Sequence, residues 1–275
     1  MGSAQVAASP VSLTPFRRRA AILLLPALAI GIWLLYTPGG LLGRADAIGY
    51  AVCHRIDLRS FHLGVRALPL CARCTGMHLG ALLAIGFLAA RGRGRAGLYP
   101  APAILAAFAL FGAAFALDGV NSYLQFFPAA PHLYAPSNLL RLITGHLMGI
   151  ALGTIVYAGF NQTVWANWRA EPVIRSPLDL AAALLIGALI LTAVVSDNPL
   201  ILYPLALLSA LGVVVLLTVV YSMISLILGG KENKATTWRE LMVPLAIGLT
   251  LTFLQIGLFD LGRYWITGTW NGFTL

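Results

Sequence analysis

Residues Cys53 to His78 read CHRIDLRSFHLGVRALPLCARCTGMH, and the rest of the chain is read outward from them. The stretch holds all three cysteines, three of the five histidines and four arginines. Its last residues, Cys71 to His78, open directly into an apolar run. Ionisable side chains gathered at the mouth of an apolar span are costly to keep in a bilayer protein, so a site is the default expectation there.

The surrounding composition says what kind of chain this is. Its 275 residues are 59% hydrophobic and 10% charged, with a mean hydropathy of +0.86. A soluble domain carries roughly 25% charged residues. The expected fold is therefore all-α, a polytopic integral membrane protein. The net charge of +9 arises from 18 Lys and Arg against 9 Asp and Glu. These charges fall in short loops between apolar spans, where the lipid bilayer's headgroups and the topology rule account for them; nucleic acid is not an expected partner.

Seven spans can be placed, each near the roughly 20 residues a bilayer demands. The first, Ala20 to Thr37, follows Arg17, Arg18 and Arg19. It is longer than the roughly 7–15 residues of a signal-peptide core and lacks a cleavage site, so it reads as an uncleaved helix. A short amphipathic segment, Leu41 to Val52, leads into the Cys/His stretch. The others run from Thr75 to Ala90, Ala101 to Tyr123, Ser137 to Phe160, Pro177 to Ser196, Leu200 to Leu228 and Glu240 to Ile266. Asp197-Asn198-Pro199 is a tight turn with proline at a helix start, and a bend is expected at Pro204. The expected organisation is a disordered tail (1–16), a core of four spans (17–160) containing the Cys/His loop (41–78), and a membrane extension of three spans (161–275).

Counting positive residues orients the spans. Arg17 to Arg19, then Arg91, Arg93 and Arg95, Arg169 and Arg175, and Lys231, Lys234 and Arg239 fall on one side. That puts the N-terminus in the cytoplasm of a cell whose inner (plasma) membrane holds the protein, with the Cys/His loop and the C-terminus outside. Arg44, Arg55, Arg59, Arg66 and Arg73 run against this trend, as expected if a site retains them.

Cys71 and Cys74 form C-x-x-C at a helix start, where the helix N-terminus lowers thiol pKa. Cys53-His54 lies upstream with sixteen residues between it and Cys71, and His78 follows Cys74 at i+4 on one face. Cys53, Cys71, Cys74 and a histidine make a Cys3His set typical of zinc. His54 is the first choice for fourth ligand, with His62 and His78 as alternatives and His146 more remote. The same cysteines also fit a redox dithiol with Cys53 as a third thiol, as in quinone-linked oxidoreductases. Three inert buried thiols are the plain alternative. Haem attachment is disfavoured because Thr75 follows Cys74, and a zinc deaminase because no H-x-E precedes Pro69.

Span alternation brings further polar residues to the same face. Asp118 and Asn121 end the third span at i and i+3, with Gln125 a turn beyond. Asn138 and Arg141 open the fourth, followed by Thr144, Gly145 and His146. A charge inside a span costs roughly 2.5–3.5 kcal/mol on insertion scales, so an Asp118–Arg141 ion pair is one expectation. Asp260 and Arg263 reach this face as well, where a terminal anchor is the simpler reading. Gly149 and Gly153 form a packing face. Trp165, Trp168, Trp238, Trp265 and Trp270 sit near span ends as an aromatic belt would. Asn161-Gln162-Thr163 matches a glycosylation sequon, on the side expected to be cytoplasmic.

The segment from Cys53 to Gly80 resembles a bacterial and archaeal family of small polytopic membrane proteins of unknown function. Its marks are Cys53-His54, Arg59-Ser60-Phe61 and Pro69 to Gly76, then Asp118/Asn121 and Asn138/Arg141/Thr144/Gly145. The resemblance covers about residues 50–150. It implies no reaction, but it treats the Cys/His stretch and both polar pairs as one unit.

The leading expectation is a Cys/His site holding Zn2+ at one membrane face. Its fringe of Arg55, Arg59, Arg66, Arg73 and Arg141 would take an anionic lipid or isoprenoid-phosphate headgroup. Asn121 and Asn138 would give polar support, and His62 or Asp118 would act as acid or base if there is catalysis. The alternatives are a non-catalytic subunit packed against partners in a larger membrane complex, and a quinone-linked thiol oxidoreductase using Cys71 and Cys74.

Overall fold

The computed structural model describes residues 15–127 and 131–273, so the expected N-terminal tail lies outside the described residues up to Thr14. The chain is 72% helical and has the architecture of a multi-pass membrane protein. Helix α1, Pro15–Tyr36, meets α2, Gly40–Val52, at a bend of 102°. Then come α3 (Ala72–Ala90), α4 (Pro102–Leu124), α5 (Asn138–Val164), α6 (Pro177–Val194), α7 (Pro199–Leu228) and α8 (Met242–Thr267). Six of these are long and apolar enough to cross a membrane, and the bent α1–α2 pair makes up to seven. Each expected span coincides with one of these helices, the first with α1; the largest departures are α1, which starts at Pro15 instead of Ala20, and α5, which runs on to Val164 instead of ending at Phe160.

Side chains set the ends. Ser137 Oγ accepts from the Leu140 N–H at 3.1 Å to cap α5, and Asn198 Oδ1 accepts from Leu200 at 3.0 Å with Pro199 next to it. Such caps satisfy amides that a helix end leaves orphaned. Gly268 closes α8 at φ 65°, a left-handed conformation glycine adopts without a Cβ clash.

The centre of the bundle is the α3–α5 pair. Half of the α3 window and 56% of the α5 window are buried, against 17% for α4, which lies at the periphery. Glycine explains how close the pair comes. A methyl at Gly149 would lie 2.0 Å from the Met77 carbonyl oxygen, and one at Gly145 2.2 Å from that of Arg73. At Gly76 it would lie 2.2 Å from the Leu142 oxygen and at Gly80 2.3 Å from the His146 oxygen. Gly76, Gly80 and Ala84 thus face Gly145, Gly149 and Gly153, two small stripes of spacing four on parallel helices. With no hydrophobic drive between helices in lipid, backbone contact of this kind holds them together.

The later helices close on this pair. Gly212 of α7 fits against His78, and Gly187 of α6 against His146. Helix α2 packs on α7 and α8, burying Ala45, Ala47 and Tyr50. Trp33 of α1 donates to Asp260 Oδ2 of α8 at 2.8 Å, and its ring meets Phe253 edge-on.

On the face away from the cysteines, strand β3 (Ala96–Leu98) pairs in parallel with β4 (Arg169–Pro172). Asn161 is buried there and donates to the carbonyls of Arg93 and Ala96 at 3.0 and 2.8 Å. The sequon asparagine is therefore a loop clamp inside the fold. Trp165 is also enclosed, edge-on to Trp238 at 4.7 Å, so it is a core residue and not part of a belt. Trp265, 88% exposed, does suit one.

Candidate metal and anion site at the thiol face

The end of α2 and the start of α3 deliver the thiols. Cys53 is the residue after α2, and Cys71 is the N-cap of α3. A methyl at Gly49 would lie 1.9 Å from the Pro69 carbonyl oxygen, so this glycine lets the two ends meet. The Cys53, Cys71 and Cys74 sulfurs, all free thiols, lie within 4.8 Å of one another. Among the described residues, the ligand atoms that close mutually at that distance are these three sulfurs, with no histidine nitrogen or carboxylate among them. Hydrogen bonds from the Cys71 and Cys74 side chains hold the Cys53 thiol well below its usual pKa, and the Cys71 N–H, 3.3 Å from the sulfur, adds to them. A cluster that readily gives up its first proton is suited to metal or to nucleophilic chemistry.

The candidate histidines have separate surroundings. His54 Nδ1 accepts from the Ile56 N–H at 3.0 Å, so its neutral ring carries the proton on Nε2. Burial pushes its pKa down, and Arg59, Arg73 and Arg141 add to the effect while Cys53 opposes it. His62 lies on a hairpin of β1 (His62–Leu63) and β2 (Arg66–Ala67), with Nε2 3.0 Å from Asp57 Oδ1. His78 donates from Nδ1 to the Cys74 carbonyl at 2.8 Å, leaving the Nε2 lone pair free. His146 is buried in α5 with both ring nitrogens unpartnered.

The arginines divide in two. Arg55 and Arg66 both pair with Asp46, and Arg55 also donates to the Trp270 carbonyl. Arg59, Arg73 and Arg141 converge instead on Ser122. Arg59 Nη2 donates to its carbonyl at 3.0 Å, while Arg73 Nη2 and Arg141 Nε reach its hydroxyl at 3.1 and 3.4 Å. Arg73 forms a salt bridge with Asp118, and Tyr134 donates its hydroxyl to the same carboxylate at 3.2 Å. The expected Asp118–Arg141 pair is thus replaced by Asp118–Arg73, and Asp118 is fully engaged. Arg141 instead donates to Asn138 Oδ1 at 2.9 Å. Arg59 is 7% exposed and Arg141 5%, and neither has a carboxylate partner among the described residues.

The asparagines tie loops together. Asn121 binds the Tyr134 carbonyl and the Leu133 N–H, shaping the α4–α5 connection. Asn138 donates to the carbonyls of Leu58 and Ser60, fastening α5 to the Cys/His loop.

A cleft of about 360 Å3 opens at this junction, lined by His54, Arg59, Arg73, Tyr123, Phe126 and Phe273. Arg59 lies over the Phe126 ring at 4.5 Å. From α8, Arg263 donates to the carbonyls of Tyr50, Cys53 and His54 and lies between the Tyr50 and Phe273 rings. It anchors the loop that carries Cys53, a larger part than a terminal anchor. Tyr123, Phe126, Tyr134, Ser122 and Phe273 contribute here without having been singled out in the sequence. Ser122 had a signal, standing at i+4 from Asp118 on the same helical face. Phe273 had none: it arrives because the chain end folds back, its N–H donating to the His54 carbonyl at 3.0 Å.

Comparison with known proteins adds a family match over part of the chain and no activity. No curated protein and no solved structure matches the chain. Residues 53–155, which carry the thiols, Asp118, Ser122 and Arg141, match the family described as predicted membrane protein (DUF2085), an uncharacterised membrane family.

Proposed function

We propose that the protein holds a zinc ion on Cys53, Cys71 and Cys74 at one membrane face and binds the anionic headgroup of a lipid in the adjoining cleft. The observation that carries this reading is a charge imbalance. Arg59, Arg73 and Arg141 all reach Ser122, and Asp118 answers only Arg73. Buried guanidinium groups without carboxylates are costly unless an anion completes them, and their planar forks match phosphate oxygens. His54, with its proton on Nε2, adds a neutral donor to the same cleft.

Zinc suits three soft sulfurs with one further position. Of the two histidines flanking the thiols, His78 is the better fourth ligand. Its Nδ1–H already donates to a backbone carbonyl, the second bond that ligating histidines use to fix the ring. The metal would pin the end of α2 to the start of α3 and so hold the loop that supplies Arg59 and His54. Positive-residue counting supports an outward-facing position for this face.

Elemental analysis of purified full-length protein tests the metal. It should give about one zinc per chain, lost in the Cys71→Ser/Cys74→Ser variant and released on acidification as thiolates protonate. No zinc, together with a reducible Cys71–Cys74 disulfide, would replace this reading with thiol oxidoreduction. In a liposome-binding assay, Arg59→Gln should weaken binding to phosphatidic acid by about tenfold or more, the value of a charged hydrogen bond.

A further inference from the structure

A second cavity shares one lining residue, Phe273, with the cleft. It measures about 480 Å3, and Leu258, Phe259, Gly262, Ile266 and Thr267 of α8 line it together with Phe273. Positions 258, 262 and 266 fall four apart, so this is one face of α8 over roughly 12 Å of helix. Leu258, Phe259 and Ile266 are 71%, 53% and 80% exposed, on a helix that crosses the bilayer. Gly262 forms its floor, with nothing within 4 Å of where a Cβ would stand. The Arg263 guanidinium also lines this second cavity, 4.2 Å from the Phe273 ring.

We propose that this groove takes the hydrocarbon chain of the same molecule whose phosphate enters the cleft. The ligand class is then a long-chain alkyl or isoprenyl phosphate drawn from the membrane. The inference rests on the headgroup reading above and adds the path of the chain. Its support is adjacency: Phe273 lines both spaces, and α8 runs from the thiol face, where the cleft opens, into the apolar depth. The order of chemistry along that path is guanidinium and imidazole, then aromatic ring, then aliphatic groove, which is the order along a lipid phosphate. A free phosphate would use the first part only.

The test is photolabelling of full-length protein in phosphatidylcholine nanodiscs with an alkyl phosphate carrying a diazirine near its chain end. Labels should concentrate between Leu258 and Ile266. Unlabelled dodecyl phosphate should compete, whereas dodecanol and inorganic phosphate should not. Gly262→Leu, which fills open space and leaves the fold intact, should cut labelling there by about tenfold as the chain loses groove contact. If dodecyl phosphate competes but the labels lie elsewhere and ignore Gly262→Leu, the chain path is wrong and the headgroup reading stands. If dodecyl phosphate and dodecanol compete equally, no anion is recognised and both readings fall. Competition by inorganic phosphate as strong as by dodecyl phosphate would make the ligand a soluble anion and overturn the groove.

Discussion

Asp118 is the residue on which the charge state of the cleft depends. It is 1% exposed, and it answers Arg73 while two more guanidinium groups stand close by. Removing one partner of a buried ion pair leaves the other uncompensated, at a cost of about 3–5 kcal/mol. Asp118→Asn should therefore lower stability by about that much in reversible unfolding of the detergent-solubilised protein, and Asp118→Asn/Arg73→Gln should recover part of the loss. Equal losses in the single and double variants would show that the ion pair is not what Asp118 supplies. The sequence made the costly carboxylate visible, and the alternation of spans gave its face. It could not choose between guanidinium groups. Arg141 was the natural candidate as the charge opening the neighbouring span, but Asn138, one turn away on the same helix, satisfies it. Arg73 reaches Asp118 because it sits in the first turn of α3, beside the thiols. That assignment depends on how α3 and α4 are placed laterally, which periodicity does not encode.

The long helices were legible to within a few residues, because apolar length, proline starts and Ser or Asn caps are all local, whereas the short strands left no such signal. Helix packing was partly legible. Gly149 and Gly153 signalled a close helix contact, but the facing stripe of Gly76, Gly80 and Ala84 belongs to a helix two elements earlier. The paired stripes make a sharp prediction. Gly149→Ala places a methyl 2.0 Å from the Met77 carbonyl oxygen, a backbone atom that moves only if the helices part. Gly86→Ala, on the same pair of helices, meets nothing within 4 Å. The first should cost several kcal/mol or abolish folding, as severe overpacking does, at about 3 kcal/mol or more. The second should be neutral or stabilise by up to about 1 kcal/mol through helix propensity. Fluorescence-detected size exclusion after a heating series measures both. Similar melting for the two variants would mean that the α3–α5 contact is not what holds the bundle.

At the scale of the molecule, the fold has two polar faces of different kinds. One carries the thiols, the cleft and the anchoring Arg263. The other carries Arg91, which pairs with Asp179, along with Glu171, which pairs with Arg175, and the β3–β4 ladder clamped by Asn161. The second half of the chain read as bland apolar helix, yet its last helix returns to the site and supplies both Arg263 and the groove. Long-range returns of this kind leave no local pattern to read. Which face is outside matters to the chemistry, because free thiols persist in a reducing cytoplasm and oxidise readily beyond it unless a metal holds them. Positive residues cluster on the Asn161 face, which should therefore be cytoplasmic. The native thiols give little background, since Cys53 and Cys71 are buried and Cys74 is half-buried. Single cysteines at Asn198→Cys, in the α6–α7 turn on the thiol side, and at Lys231→Cys, in the loop before α8, then report orientation through a membrane-impermeant maleimide. Asn198→Cys should label in intact cells, and Lys231→Cys only after permeabilisation. The reverse pattern would place the thiols in the reducing compartment, where three neighbouring free cysteines need no metal to stay reduced and the case for zinc would rest on elemental analysis alone.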